Sequence, residues 1–373
     1  MTRPIRVLFI APHPLEGPST RFRLVQFFDY LSRNGVESEL RPFFTSTEAR
    51  HIYRSGHAAL KILLTLKATL RRLGDVVRAG RFDVVYILRE AFPFGPGLVE
   101  RALHWRAGCL VFDFDDAIYL PSSAFQNPLD RLRDWTKPAA LVRAADFVLP
   151  GSAWLADFAL QNGADPARIM ILPTVVDARV YCPAEETRHG ADVVVGWIGT
   201  PRNTSYLRDM MPVFRRVAAQ CPHARFVFVG AELFATDTVA AEFRDWSMEN
   251  EVADLQSFDI GIMPLPSNDF EKGKCGFKLI EYMAVGVPTV ASPVGANVDI
   301  VLSGTTGFLA ENADDWVTAL IRLIEDAALR RRMGAEGRVR AQNHYSTEVV
   351  APMMLDALRQ VTGRISVTPA TSD

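Results

Sequence analysis

Short apolar runs alternate along the chain with longer stretches whose apolar residues recur at three- and four-residue spacing. Val7 to Ala11 precedes a helical pattern from Arg21 to Asn34, Val84 to Leu88 precedes one from Leu98 to Arg106, and Cys109 to Phe114 follows. Unbroken apolar runs of this length read as strands buried on both faces, and the amphipathic segments between them as the helices that cover them. Phe147 to Pro150 and Ile169 to Leu172 add two strands around a helix from Ala153 to Asn162, which completes a doubly wound α/β domain near Pro173.

The polar, turn-rich stretch Cys182 to Asp192 separates this half from a second one in which the rhythm restarts. Strands are expected at Val193 to Ile198, Phe226 to Gly230, Ile260 to Pro264 and Thr289 to Ser292. Helices are expected at Tyr206 to Gln220, Ser247 to Ser257, Phe277 to Val285, Asp314 to Asp326 and Leu329 to His344. The predicted organisation is a first domain over 1–181, a linker over 182–192 and a second domain over 193–346, with a last helix near 347–362 returning to the first domain and a frayed end beyond Ser366. In open sheets of this kind ligands bind beyond the carboxyl ends of the strands, so two such domains facing each other would form a cleft suited to a bulky polar ligand.

Composition narrows the function. Of the 373 residues 49% are hydrophobic and 23% charged, which suits two folded domains, and a net charge of -2 gives no whole-molecule attraction to nucleic acid. The four cysteines, Cys109, Cys182, Cys221 and Cys275, have neither metal-ligand spacing nor disulfide density and read as reduced cytosolic thiols. The apolar run after Met1 is short, ends in Pro and His without a cleavage-like site, and reads as a first strand; no run approaches the length of a membrane span. A cytoplasmic protein is expected. One local excess of base stands out: Arg41, Arg50, Arg54, Lys61, Lys67, Arg71, Arg72, Arg78 and Arg81 face only Glu48 and Asp75. Within it Leu60, Leu63, Leu64, Leu70 and Leu73 lie at helical spacing. Such a helix either packs its apolar side on the sheet with a solvated basic face, or makes peripheral contact with anionic lipid at the inner face of a membrane.

Candidate chemistry concentrates at the ends of predicted strands. In Gly273 to Ser292 (GKCGFKLIEYMAVGVPTVAS) a glycine turn opens a helix, so Gly273 and Gly276 allow close backbone approach and the helix start offers free N–H groups to phosphate. Lys278 and Glu281 fall on one side of that helix and suit a diphosphate and a ribose; they equally suit a solvated pair beside a structural turn. After the Val193 strand, Gly199, Thr200 and Arg202 open a turn in which Thr200, Asn203 and Thr204 are candidate helix caps. In the first half, Asp113, Asp115 and Asp116 end a strand, where acids orient an acceptor hydroxyl, support developing positive charge, hold a metal as a D-x-D pair or cap a helix. Gly17, Arg21 and Arg23, and Arg89 and Glu90, occupy comparable loop positions. No G-x-G-x-x-G follows the first strand, which argues against a dinucleotide and an oxidoreductase.

The run KLIEYMAVGVPTVAS, with Val294 to Leu309 and Asp314 to Arg338 after it, resembles the donor-binding half of family-four (group 1) retaining glycosyltransferases of the GT-B type, in an atypical branch. The resemblance implies two Rossmann-like domains and transfer of a sugar from a nucleotide-diphosphate sugar to a hydroxyl of a glycan, lipid-linked intermediate or small molecule, with retention and without a metal or cofactor. The expected donor contacts are Gly199, Thr200, Arg202, Lys274, Gly276, Phe277, Lys278, Glu281 and Gly295. The resemblance implies Glu281 on the ribose, and since many relatives place an Arg and a Lys on the diphosphate where only Arg202 stands here, Lys274 and Lys278 are expected to join it. The acceptor side comprises Gly17, Arg21, Arg89, Glu90 and Asp113, and the catalytic groups are Asp115, Asp116 and Lys278. Where the family's E-x7-E motif has its first glutamate this chain has Gly273, so either Glu271 takes its place or the sugar is held differently. A nucleotide-sugar 2-epimerase and a degenerate nucleotide-binding partner subunit are the alternative readings.

Overall fold

A computed structural model describes residues 3–52, 56–121, 131–185, 192–236 and 239–363. The chain divides into two compact units. The first comprises 3–121, 131–174 and 350–363, and the second Val175–Val349. Part of the expected linker, 186–191, and the end beyond 363 lie outside the described residues.

The first unit is built on β1 (Ile5–Ala11), β2 (Val36–Pro42), β3 (Val84–Leu88), β4 (Leu110–Phe114) and β5 (Phe147–Pro150). They form one parallel sheet in the order β2-β1-β3-β4-β5, so the chain reverses its progress across the sheet between β1 and β3. β3, β4 and β5 are buried throughout, as unbroken apolar runs require. Ile169 to Leu172 is not a sixth strand. Met170 and Leu172 donate to the carbonyls of Val148 and Pro150, but Pro150 has no N–H to return a bond, and the pairing stops at an isolated bridge between Val148 and Ile169. The expected helix over Arg21 to Asn34 begins earlier and is broken, into Pro18–Arg23 and Phe28–Arg33 around a short 3-10 turn.

The helix Ala58–Ala79 corrects a sequence expectation. Its apolar stripe does not pack on the sheet; Ile62, Leu63, Leu66, Leu70, Leu73 and Val77 are each between 49 and 71% exposed. The face turned inward carries Ala68, Ala79, Arg72 and Asp75, all buried. Arg72 donates to the carbonyls of Ala91 (2.9 Å) and Arg41 (3.0 Å) and to Asp75 (2.9 Å), and Asp75 also accepts from Arg41 at 2.7 Å. Burial lowers the Arg72 pKa to about 10, still far above neutrality, so the pair remains ionic. Arg71 makes two hydrogen bonds to Glu48, at 3.0 and 2.7 Å. Ion pairs and carbonyl contacts therefore hold this helix, and periodicity alone could not say which of its two faces would turn inward.

The second unit has β6 (Val193–Ile198), β7 (Ala224–Val229), β8 (Ala241–Arg244), β9 (Ile260–Met263), β10 (Thr289–Ala291) and β11 (Gly307–Leu309). The sheet is parallel in the order β11-β10-β9-β6-β7-β8, with its first strand, β6, central. The polar edge strand β8 has no apolar run to announce it. The helix expected over Tyr206 to Gln220 divides into Thr204–Asp209 and Met211–Gln220, with Pro212 in the first turn of the second piece.

Between β6 and β9 the register pairs Val195 with Ile260 and Gly196 with Gly261. A Cβ on Gly196 would fall 2.0 Å from the Phe258 ring, and one on Gly261 would fall 2.4 Å from the Tyr282 ring. The two rings meet edge to face, with centroids 6.2 Å apart. Tyr282 belongs to the helix Phe277–Ala284; its hydroxyl accepts from the Ile198 N–H at 3.1 Å and donates to the Ile262 carbonyl at 3.3 Å. The helix is thereby pinned at the place where the strand order reverses. Replacing Tyr282 with Phe strands a buried N–H and a carbonyl, and is expected to cost about 1–3 kcal/mol in urea unfolding with the far-ultraviolet circular dichroism unchanged.

Candidate functional site

Two sets of loops at carboxyl strand ends carry the expected residues. In the first unit Asp113, inside β4, is fully enclosed and accepts from Arg23 Nε at 2.7 Å and from the Tyr86 hydroxyl. Arg23, itself enclosed, also donates to the Leu172 carbonyl at 2.9 Å and Thr174 Oγ1 at 3.1 Å. Burial pushes the Asp113 carboxyl up to about 6 against the pull of Arg23 and Tyr86. Two residues on, just beyond the end of β4, Asp115 accepts from Arg89 Nε at 2.5 Å and from Ser19 Oγ at 2.7 Å. Its burial acts upward, but the Arg89 charge, its hydrogen bond, Arg23 and Ser19 together hold the carboxyl down at about 2. Asp116 is more open and lies 3.6 Å from Arg89. Arg89 itself has φ +62, a conformation that L residues with large side chains seldom adopt, and its N–H donates to the Asp113 carbonyl at 2.7 Å.

In the second unit the turn after β6 holds Gly199, Thr200 and Arg202, and the segment after β9 holds Lys274 to Glu281. Both leave the sheet where β6 and β9 part, the position at which open α/β sheets bind ligands. Gly276 has φ +63 and forms the N-terminal cap of the helix Phe277–Ala284. A Cβ there would lie 2.3 Å from Ile300 and 3.2 Å from Asn297 Oδ1, so only glycine fits. Gly295, in the turn after β10, lies against the Lys272 carbonyl. Lys278 Nζ sits 5.4 Å from the centre of the Trp197 ring, and Lys274 Nζ lies 5.1 Å from that of Phe270 and 6.0 Å from that of Tyr206. Two lysines and a helix N-terminus thus gather at the Gly276 turn, and an exposed Arg202 lies on the turn after the neighbouring strand β6, a set of groups that favours a polyanion.

Residues 192–326 match the family model described as glycosyl transferases group 1. The match lies within the second unit. The whole chain is similar to D-inositol 3-phosphate glycosyltransferase of Rhodococcus opacus, 29% identical over 97% of this chain and 92% of that one. It is also similar to the protein of the same name in Pseudarthrobacter chlorophenolicus, 26% identical over 58% of this chain; there the match spans only 56% of the relative's length. Solved structures with this fold include Anabaena HepE in complex with UDP and glucose (TM-score 0.68, 16% identity, 95% of this chain and 100% of that one). Sucrose-phosphate synthase from Thermosynechococcus elongatus is another (TM-score 0.70, 16% identity, 97% and 100%). The fold is GT-B.

Within the second unit, Gly199, Thr200, Arg202, Lys274, Gly276, Phe277, Lys278, Glu281 and Gly295 all lie on the turns after β6, β9 and β10 or on the helix that follows. Glu281 is 4% exposed. Neither Thr200 nor Asn203 caps the next helix with its side chain; Thr204 Oγ1 instead accepts from the Glu232 N–H at 2.9 Å. Glu271, weighed as a replacement for the missing glutamate, is fully enclosed and accepts from the Tyr206 hydroxyl at 2.5 Å. Sequence reasoning did not reach Trp197, Tyr206 or Asn297. Asn297 is fully enclosed, donates to the Ser292 carbonyl at 2.9 Å, and its Oδ1 finds no hydrogen-bond partner among the described residues.

In the first unit Asp113 is an internal brace, since its carboxylate is taken by Arg23 and Tyr86 below the strand ends. Arg89, Asp115 and Asp116 form one cluster that also takes in Ser19. Glu90 is committed elsewhere, to Arg133 at 3.0 Å and Lys137 at 3.3 Å. Arg21 stacks on the Phe22 ring, and Gly17 caps the short helix Pro18–Arg23. Among the described residues no group of three or more His, Cys, Asp or Glu side chains is placed to hold a metal ion.

Asp115 has a consequence in acid. Its folded pKa of about 2 lies below the ordinary 3.8, so its share of stability is full above about pH 4 and is lost as the pH falls towards 2. Asp113, shifted the other way, acts between pH 4 and 6 and leaves that window clear. Arg89→Met removes the main charge holding Asp115 ionised. The variant is expected to lose about 2 kcal/mol at pH 7 and to show a flatter stability profile between pH 2 and 4, measured by urea unfolding across pH.

Proposed function

We propose that this chain transfers a sugar from a nucleotide-diphosphate sugar to a hydroxyl acceptor, with retention of anomeric configuration. The observation that carries the proposal is the Gly276 turn. It presents the start of the helix Phe277–Ala284, with Lys278, at the reversal point of a group 1 glycosyltransferase domain. The charge that develops on departure of the nucleotide diphosphate is stabilised by the helix N–H groups, Lys278, Lys274 and Arg202, which is electrostatic rather than acid/base catalysis. Glu281, one turn along the same helix, holds the ribose, and the turns bearing Gly199, Thr200 and Gly295 bring backbone close to the donor.

The likeness to a structure that binds UDP and glucose supports a nucleotide-sugar donor. With Gly273 at the usual glutamate position and Glu271 enclosed, the donor sugar is held by other groups, and this marks the chain as an atypical branch of the family-four enzymes. The first unit binds the acceptor. There Asp115 and Asp116, kept ionised beside Arg89, orient its hydroxyl and support the oxocarbenium-like transition state, with Arg21 and Gly17 at the rim. The acceptor is a glycan, a small molecule or a lipid-linked intermediate; in the last case the protein works in the cytoplasm against the inner face of the membrane. No metal or cofactor enters this scheme.

Thermal shift with UDP-, GDP-, ADP- and dTDP-sugars is expected to single out one base, and that donor should be turned over or slowly hydrolysed. Lys278→Ala should weaken its binding by about tenfold or more in calorimetry. Unchanged affinity would remove Lys278 from the site, and binding with no turnover under any acceptor would leave a nucleotide-binding partner subunit.

A further inference from the structure

The helix Ala58–Ala79 is amphipathic with its sides exchanged: polar and charged groups face the protein, and an apolar stripe faces out. Ile62, Leu66, Leu70, Leu73 and Val77 follow one another at spacings of four, four, three and four residues, which places them on one line along the helix, with Leu63 beside it. The stripe continues onto a neighbour. Arg106, on the helix Leu98–Ala107, reaches the Val77 carbonyl at 3.5 Å, and next to it Trp105 is 80% exposed.

Charge decides what covers this face. Each helix has a single acid, Asp75 and Glu100, and both point inward, Asp75 to Arg41 and Arg72 and Glu100 to Lys137 and the N–H groups of Ala91 and Phe92. The exposed charges that border the apolar stripe from these two helices are Lys67, Arg78, Arg101 and Arg106, with Arg81 just beyond. Across the edge, Glu39 pairs with Arg78, and Glu48, which lies 3.4 Å from Lys67, is already committed to Arg71. A second copy of this chain on the same face would bring these bases together. An anionic lipid surface would neutralise them while its acyl boundary accepts the leucines and its interface the indole. The described helices include none long and apolar enough to cross a bilayer, so the contact lies in the plane of the interface.

We infer that the apolar face of the helix Ala58–Ala79, extended by Trp105, seats the first unit on an anionic membrane surface. This deepens the reading of a lipid-linked acceptor and rests on it for purpose, since a transferase whose acceptor unit lies on the bilayer meets a membrane-held hydroxyl without extracting it.

The test uses full-length protein without donor, so it is independent of sugar transfer, which is followed separately with a soluble acceptor or as donor hydrolysis. Flotation with phosphatidylcholine vesicles containing phosphatidylglycerol is expected to carry the protein at low salt, and pure phosphatidylcholine to carry far less. Leu66→Asp with Leu70→Asp, both at exposed positions, should abolish flotation with circular dichroism and donor hydrolysis unchanged. Lys67→Gln or Arg106→Gln should each weaken vesicle binding by about fivefold, an effect lost at high salt. Failure of the wild type to float on anionic vesicles at low salt overturns the inference. So does a concentration-dependent dimer that the double Asp variant dissolves without any vesicle binding in the parent, which would assign the face to a second copy.

Discussion

The second unit depends on how the helix Phe277–Ala284 is fixed to the sheet. Where β6 and β9 part, their backbone groups lose partners, and the Tyr282 hydroxyl supplies one acceptor and one donor to the two strands. Its ring reaches them because Gly261 and Gly196 leave a flat surface beneath it and Phe258. Burial raises the Tyr282 pKa well above its ordinary value, so the hydroxyl keeps its proton and both bonds persist at any working pH. Lys278 lies one turn before Tyr282 on the same helix, and Gly276 precedes it in a conformation only glycine holds without strain. The position of the Gly276 turn is thus set by ring packing and two neutral hydrogen bonds behind it. Charge can then be gathered in front of the turn without being needed for the fold.

The first unit solves the opposite problem, since its polar groups are held by one another. Arg23, Asp113 and Tyr86 are enclosed together, and the arginine also collects the Leu172 carbonyl and the Thr174 hydroxyl from the segment after β5. Buried ion pairs of this kind contribute little net stability, but losing one partner leaves a charge in a place that cannot solvate it. Their effect is to specify position: Asp113 fixes the end of β4, and from there Asp115 meets Arg89 and Ser19. The strained φ of Arg89 is held by its own N–H to Asp113 and by its side chain to Asp115. An inner ionic layer thereby orients an outer one, whose Asp116 is partly open to solvent.

Much of this was legible as pattern. Alternating apolar runs give the order of the buried strands, and the glycine turn before KLIEYMA gives the start of the helix Phe277–Ala284. What pattern could not supply was the direction of a face. A helix with leucines at helical spacing reads the same whether they point in or out, and only the Arg41, Arg72 and Asp75 group decides the matter for Ala58–Ala79. Likewise Asp113 and Asp115 stand two residues apart at the end of one strand, yet one is enclosed beneath Arg23 and the other meets the loops. The edge strand β8 escaped because its alternation, Ala241 and Phe243 inward against Glu242 and Arg244, spans only four residues and forms no apolar run.

The exchanged sides of that helix also bear on how the first unit is stabilised. A helix that turns its leucines outward forgoes the burial that normally holds a helix on a sheet, roughly 1.5–3 kcal/mol for each large aliphatic side chain. The inward side has two buried alanines, the half-buried Leu64 and Val76, and ionic groups to set against this, and a buried ion pair such as Arg72 with Asp75 recovers little net stability. A chain under no other demand would gain stability by turning the stripe inward. The cost is sustained because Arg72 satisfies the Ala91 and Arg41 carbonyls, and Glu48 and Asp75 tie the helix to the segments around β2. Apolar area kept in water at such expense is area reserved for contact, and a basic border on it selects an anionic surface over an oily one.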